Sequence, residues 1–343
     1  MLHSGINQQP GSLKARMAVE GNRLAREFCT EHGVRMERCG TIVVSRDERE
    51  LAVLHTLLEM GAAAGVEGLR IMEAGELAER EPSAVGDNAL LSPNGAIVDS
   101  EAFVRAVADD ARAKGAQFVM NAEVTAIRKN TVVSKAGDFE AGHVINCAGL
   151  YSDRIARMMG AGKGKRIIPF RGEYMEITGL PVNSMVYQAP DLRYPFLGVH
   201  FTKTVDGRVL AGPTAMLSFG REAYDKQIVP GDSIGMIASL NFWRLVSSGK
   251  FLRLVWHNGR ISFSDRAFLA EIRTLAPDVA MDQIKPCRSG IRAQMVDNSG
   301  RMVNDMVVEY LPASTHVLNA VSPGMTAALA FAGHVVDEII NGN

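Results

Sequence analysis

Apolar residues recur at helical spacing early in the chain: Leu13, Met17, Leu24 and Phe28 share one face of a helix that residues 12–15 open, that runs to about His32 and that Gly33 stops. Residues 39–44 read as a strand and 47–65 as a long amphipathic helix capped by Ser45 or Asp47. A shorter helix over 73–81 ends before Pro82, which disfavours helical backbone in the residue ahead of it. Residues 89–92 and 95–98 make a strand or hairpin, after which Asp99 or Ser100 caps a helix over 101–114. Strand, helix and strand in that order favour a crossover with parallel pairing.

Residues 121–153 carry the strongest local pattern. β-Branched alternation marks strands at 123–127 and 131–133, residues 135–138 form a turn, and the apolar strand 143–146 runs into Cys147-Ala148-Gly149 and a helix from Ser152 to Met159. Small residues there let the backbone approach a ligand, and the helix start offers unpaired N–H groups. That suits a phosphate or flavin contact, with an ordinary strand-to-helix turn as the alternative. Strands at 166–170, 173–177, 185–187, 198–202 and 208–212 predict a second, largely antiparallel layer.

Residues 228–265 look helical, interrupted near Gly249 and Gly259. Phe242, Trp243, Phe251 and Trp256 interleave there with Arg244, Lys250, Arg253 and Arg260, as in a helix packed on a sheet or in a membrane-surface patch. Strands return at 290–295, 306–310 and 316–319. Ser322 as cap and Pro323 at the first helical position then start a final helix closed by Gly342. The N–H groups of Gly324 and Met325 would suit an anionic ligand oxygen.

Composition narrows this picture. With 343 residues, 47% hydrophobic and 22% charged, the chain is long enough for two domains and is not a disordered or repeat protein. A net charge of −1, with Lys and Arg spread along the chain, argues against a nucleic-acid partner. Cys29, Cys39, Cys147 and Cys287 have no metal-like spacing and read as reduced thiols of a cytoplasmic protein. Residues 1–11 have no signal-peptide pattern, and the apolar stretch 317–340 is too interrupted by polar residues to span a membrane.

Six segments then carry a resemblance. They are His3-x-Gly5 with Pro10-Gly11-Ser12-Leu13-Lys14, Asn146-Cys147-Ala148-Gly149-Leu150, Phe170-Arg171-Gly172-Glu173-Tyr174, Pro195-Phe196-Leu197-Gly198-Val199-His200, Gly290-Ile291-Arg292-Ala293-Gln294 and Asn319-Ala320-Val321-Ser322-Pro323. Each is weak alone, and their number and order make them specific. Together they are similar to the flavin-dependent L-2-hydroxyglutarate oxidases and dehydrogenases of the D-amino-acid-oxidase-like family, over nearly the whole chain. The resemblance implies a mixed α/β (α+β) fold of the D-amino-acid-oxidase type. In it, residues 1–35, 95–162 and 286–343 would form a discontinuous FAD-binding domain, and 36–94 with 163–285 an antiparallel substrate domain.

Departures from the family pattern are equally specific. No G-x-G-x-x-G follows a strand anywhere, so the first βαβ unit and its acidic ribose ligand are missing. Asn7 and Gln8 stand where the family usually has tyrosines, and Gly324-Met325 where it has two alanines. The expectation is that residues 1–343 alone bind flavin more weakly, and aggregate more readily, than a chain extended upstream by about one βαβ unit.

The resemblance also implies a chemistry, the oxidation of an L-2-hydroxy dicarboxylate to its 2-oxo acid with FAD as cofactor. Arg171 and Arg292 would hold the two carboxylates, with a structural ion pair as the alternative, and Tyr174 would donate a hydroxyl beside Arg171. His200 would take the hydroxyl proton, with His3 as the other candidate, placed nearer the flavin. Val124 would meet the adenine through its backbone, Ala148 and Gly149 would pass close to the dinucleotide, and Ser322, Pro323, Gly324 and Met325 would set the last helix against the flavin. No metal is implied. A quinone, and through it the inner face of a membrane, is the expected further partner, with oxygen as the other acceptor. A flavin-free remnant or binding protein, or an oxidase of a related 2-hydroxy or amino acid, are the competing readings.

Overall fold

A computed structural model describes residues 1–192 and 198–342, Lys250 without its side chain; Pro195, Phe196 and Leu197 of the fourth matching segment lie outside them. Helix starts follow the capping residues. Ser12 Oγ accepts from the Ala15 N–H at 3.0 Å to open helix Leu13–Glu31, Asp47 accepts from Glu50 at 2.8 Å to open Glu48–Ala63, and Asp99 accepts from Ala102 at 3.0 Å to open Ser100–Ala113. On the first helix the deepest stripe is Ala15, Ala18, Gly21, Ala25 and Cys29, whereas the expected face of Leu13, Met17, Leu24 and Phe28 is only half-buried. Close approach of the last helix explains this. A Cβ on Gly21 would lie 2.4 Å from the Thr326 carbonyl and 2.6 Å from the Ala327 Cα, so small residues set the spacing.

An eight-stranded sheet runs in the order Ile284–Pro286, Met175–Ile177, Val209–Gly212, His200–Lys203, Met185–Gln188, Thr41–Ser45, Asn88–Ser92, Arg70–Glu73. All neighbours are antiparallel except Met185–Gln188 with Thr41–Ser45. Both faces are covered: Ile42, Val44 and Phe201 pack with Phe268 and Ile272, while Val43, Leu90 and Tyr187 pack with Leu54 and Leu57. A second sheet sets Arg166–Gly172 between Met216–Leu217 and Gly290–Val296, and a third orders Val307–Leu311, Ser314–Asn319 and Val144–Asn146. Strands Val124–Arg128, Thr131–Ser134 and Gly137–Glu140 form a separate meander.

Several local expectations are corrected. The crossover is not parallel: Ile97–Val98 pairs antiparallel with Met36–Glu37, and parallel pairing joins strands far apart in sequence, Thr41–Ser45 with Met185–Gln188 and Val144–Asn146 with Ser314–Asn319. Gly137 and Asp138 belong to a strand that is exposed throughout, so no hydrophobic alternation marks it. The helical stretch is four helices, Pro230–Ile237, Leu240–Val246, Gly249–Ser262 and Asp265–Ile272; the third runs straight through Gly259, and an unexpected break falls at Ser239, which caps the second. The last helix, Gly324–Asn341, begins one residue late, because Pro323 with ψ +66° is itself the cap residue and Ser322 makes no capping bond. All four cysteines are free, and among the described residues no helix is long and apolar enough to cross a membrane.

Candidate active site

A cavity of about 1390 Å³ opens where the first helix, the last helix and the second and third sheets meet. His3, Arg171, Tyr174, His200, Gly149, Arg292, Ser322, Pro323 and Gly324 border it, so residues scattered over more than three hundred positions converge. Val124, Ala148 and Met325 do not. Val124 pairs with Ser134 in the outlying meander, the Ala148 N–H donates to Asn146 Oδ1 at 3.1 Å, and Met325 packs into the cluster of Leu2, Cys29 and Phe103.

His200 begins a central strand of the large sheet and is 4% exposed. Its ring stacks on Tyr187 with centroids 4.1 Å apart. Nδ1 lies 3.0 Å from the Gly198 carbonyl, which can only accept, so Nδ1 carries the proton and Nε2 keeps its lone pair. That Nε2 is buried with no hydrogen-bond partner among the described residues. Burial pushes the imidazole down to about 4, and His3 down to about 3 through burial first, then the nearby chain N-terminus, His200 and Lys14. Both histidines are therefore neutral near pH 7.

Arg171 and Arg292 come from neighbouring antiparallel strands. Arg171 stands opposite Ile291 and Arg292 opposite Phe170, and since directly opposed residues share a face, the two arginines leave from opposite faces of the ladder. Arg171 is buried and paired with Glu173 at 3.2 Å; Glu173 also takes Lys226 at 3.1 Å and the Ser262 hydroxyl. Arg292 donates to Gln294 Oε1 at 3.1 Å, and burial pushes its guanidinium down to about 10. Burial raises the Tyr174 phenol, keeping it a neutral donor.

Lys14 also borders the cavity, and the sequence reading gave it no role. Its signal was its place in the first matching segment, two residues after the Ser12 cap. The amides of Leu13 and Lys14 donate to Asp305 at 3.3 and 2.8 Å, and Nζ donates to the Asn304 carbonyl at 3.2 Å. Burial, with Arg292 nearby, pushes the amine down to about 8 against the pull of Asp305.

The family model of the DAO class, FAD dependent oxidoreductase, matches residues 1–338. The chain belongs to this family of FAD-dependent oxidoreductases. It is 33% identical to the L-2-hydroxyglutarate dehydrogenase of Escherichia coli (strain K12) over 348 residues, 99% of this chain and 82% of that protein. The mitochondrial L-2-hydroxyglutarate dehydrogenase of Homo sapiens is 32% identical, over 99% of this chain and 78% of its own length. Among solved structures, the dithionite-reduced, FAD-bound L-alpha-glycerophosphate oxidase of Mycoplasma pneumoniae superposes with a TM-score of 0.78 at 22% identity, covering 100% of this chain and 83% of that one, and so shares the fold.

This FAD-dependent oxidoreductase has a site that fits the flavin. The cavity exceeds the roughly 300–1,000 Å³ of an ordinary small-ligand pocket. Gly149 sits at φ +53° where an added Cβ would meet nothing within 4 Å, so the chain bends there beside open space. Asn146 fixes this turn from below: its side-chain amide donates to the Ser152 carbonyl at 2.9 Å and to His316 Nδ1 at 3.2 Å. The last helix has no side-chain cap, and its apolar Ala328, Phe331, Ala332 and Val335 continue the cavity wall from Gly324.

Proposed function

We propose that this chain oxidises L-2-hydroxyglutarate to 2-oxoglutarate with FAD bound in the cavity. One observation carries the reading: a single cavity gathers Lys14, Arg171 and Arg292 with two histidines that burial keeps neutral, in a chain about a third identical to L-2-hydroxyglutarate dehydrogenases. Arg171 and Arg292 each engage a substrate carboxylate, Arg171 sharing its charge with Glu173, and Tyr174 donates its hydroxyl beside Arg171. Both arginines border the one cavity despite leaving opposite faces of the ladder. His200 accepts the hydroxyl proton at Nε2, with His3 beside it as the alternative base and the residue nearer the flavin. Bound FAD supplies the two-electron acceptor for the hydride that leaves C2.

In this reading Gly149, with Ala148 behind it, lines the path of the dinucleotide, and Val124 meets the adenine through its backbone. The first amides of the last helix, at Gly324 and Met325 after Ser322-Pro323, place partial positive charge by the flavin. Residues 1–35, 95–162 and 286–343 form the FAD-binding part, and 36–94 with 163–285 the substrate part; the composition of the large sheet supports that division. The FAD-loaded protein should show its highest kcat/KM on L-2-hydroxyglutarate in a panel with L-lactate, L-malate, glycerol phosphate and glycine. A preference for a monocarboxylate or an amine would overturn the reading.

The exposed row on the four-helix stretch favours a second element, docking on a membrane surface where a quinone serves as final acceptor in place of oxygen. Leu240, Trp243, Leu252, Trp256 and Phe263 all face outward there, beside Arg253.

A further inference from the structure

We propose that Lys14 and Arg292 grip one and the same substrate carboxylate, making Lys14 a specificity-determining residue of the site. The proposal rests on the dicarboxylate reading above and deepens it. Lys14 is placed by the start of the first helix: Ser12 caps it, and the Asp305 carboxylate receives the Leu13, Lys14 and Met306 amides. That carboxylate is committed to three backbone groups. The ammonium has three N–H donors, and the Asn304 carbonyl takes one. Arg292 is brought alongside by hydrogen bonds: its Nε donates to Gln294 Oε1 at 3.1 Å, Gln294 Nε2 donates to the Val303 carbonyl at 3.0 Å, and the next carbonyl, that of Asn304, is the one that takes the Lys14 ammonium. The arginine lowers the lysine's proton affinity, as Lys14 lowers that of His3. Lys14 thus borders the same cavity as the arginine and both histidines.

Two cations held side by side in a partly buried wall repel one another, and an anion seated between them removes that repulsion while accepting a hydrogen bond from each. Arg171 offers no equivalent pairing, since Glu173 already shares its charge. A ligand with one carboxylate fewer forfeits one of these two anchors. Discrimination against it then comes from a lost charge-assisted contact rather than from pocket shape.

Isothermal titration of the FAD-loaded full chain with glutarate, which keeps both carboxylates and lacks the reacting hydroxyl, tests this without turnover. Lys14→Met should weaken glutarate about 10- to 100-fold, the range of a charged hydrogen bond, and Lys14→Arg should restore most of it. Arg292→Met combined with Lys14→Met should lose clearly less than the product of the two single losses, because both remove the same contact. Unchanged affinity in Lys14→Met, or multiplicative losses in the double variant, would overturn the proposal.

The wild type adds an arm that needs no folding of the methionine variant. Glutarate should bind more weakly as pH rises above about 8, where Lys14 discharges while Arg292 stays charged up to about 10 and His3 is already neutral. Lys14→Arg should remove that fall up to pH 9.5; the same fall in both proteins would overturn the assignment. Wild-type protein that ignores glutarate and binds L-lactate would instead refute the substrate reading itself.

Discussion

His200 shows how one hydrogen bond decides a role. With Nδ1 tied to the Gly198 carbonyl, the ring can gain a proton only at Nε2, and burial makes that gain unfavourable until the pH approaches 4. The base is therefore competent over the whole neutral range. We predict that kcat keeps its acid limb well below the usual histidine value, and that His200→Ala lowers the rate of flavin reduction by roughly 10²- to 10⁴-fold while removing that limb. Stopped-flow reduction across pH would show it; an unchanged limb in His200→Ala would move the proton to His3. The same shift has a sign for stability. Both folded-state values lie below the ordinary value of about 6.5, so the histidines' contribution is complete above 6.5 and is lost as pH falls through 4 and then 3. Thermal melts should therefore drop steeply between pH 6 and 4.

At the scale of elements, what the sequence revealed and what it hid divide along physical lines. Helix starts were legible because Ser12, Asp47 and Asp99 act on amides three residues away. The Arg70–Glu73 strand was not, since its ends are exposed and only Met72 is buried. The Gly259 break failed because a helix tolerates one glycine when its neighbours pack, here Phe251 and Ile261 in the core. Site residues in short matching segments could be named in advance. The neighbourhood of Lys14 and Arg292 could not, because it exists only after the two helices and the second sheet close on each other. The contact between first and last helix makes a sharp prediction: a methyl at Gly21 has no room against the Thr326 backbone, so Gly21→Ala should cost about 1–3 kcal/mol. Chemical denaturation would measure it, and a neutral result would mean the helices part without penalty.

Across the whole molecule, the four-helix stretch divides its aromatics by direction. Phe242 and Phe251 turn inward with Phe170, whereas Trp243 is 56%, Leu252 55%, Trp256 80% and Phe263 74% exposed. The packed-helix reading describes the inner side, and the outer row is what the membrane-surface proposal rests on. If the outer row docks on a bilayer, co-sedimentation with anionic vesicles should be strong and should fall several-fold in Trp256→Ser with Arg253→Ser; retention unaffected by both changes would discard the docking surface. The joint between the chain's beginning and end has a different consequence, in the order of events during synthesis. The His3 amide donates to Thr326 Oγ1 at 3.1 Å across 323 positions, and the Lys14 amide reaches Asp305 across 291. These contacts cannot form until residues 305–326 have been made, some three hundred positions after the first helix. Until then the small-residue stripe of the first helix lacks the helix that covers it. The cavity wall that the two helices share is therefore among the later parts of this chain to form, because it needs both of them in place.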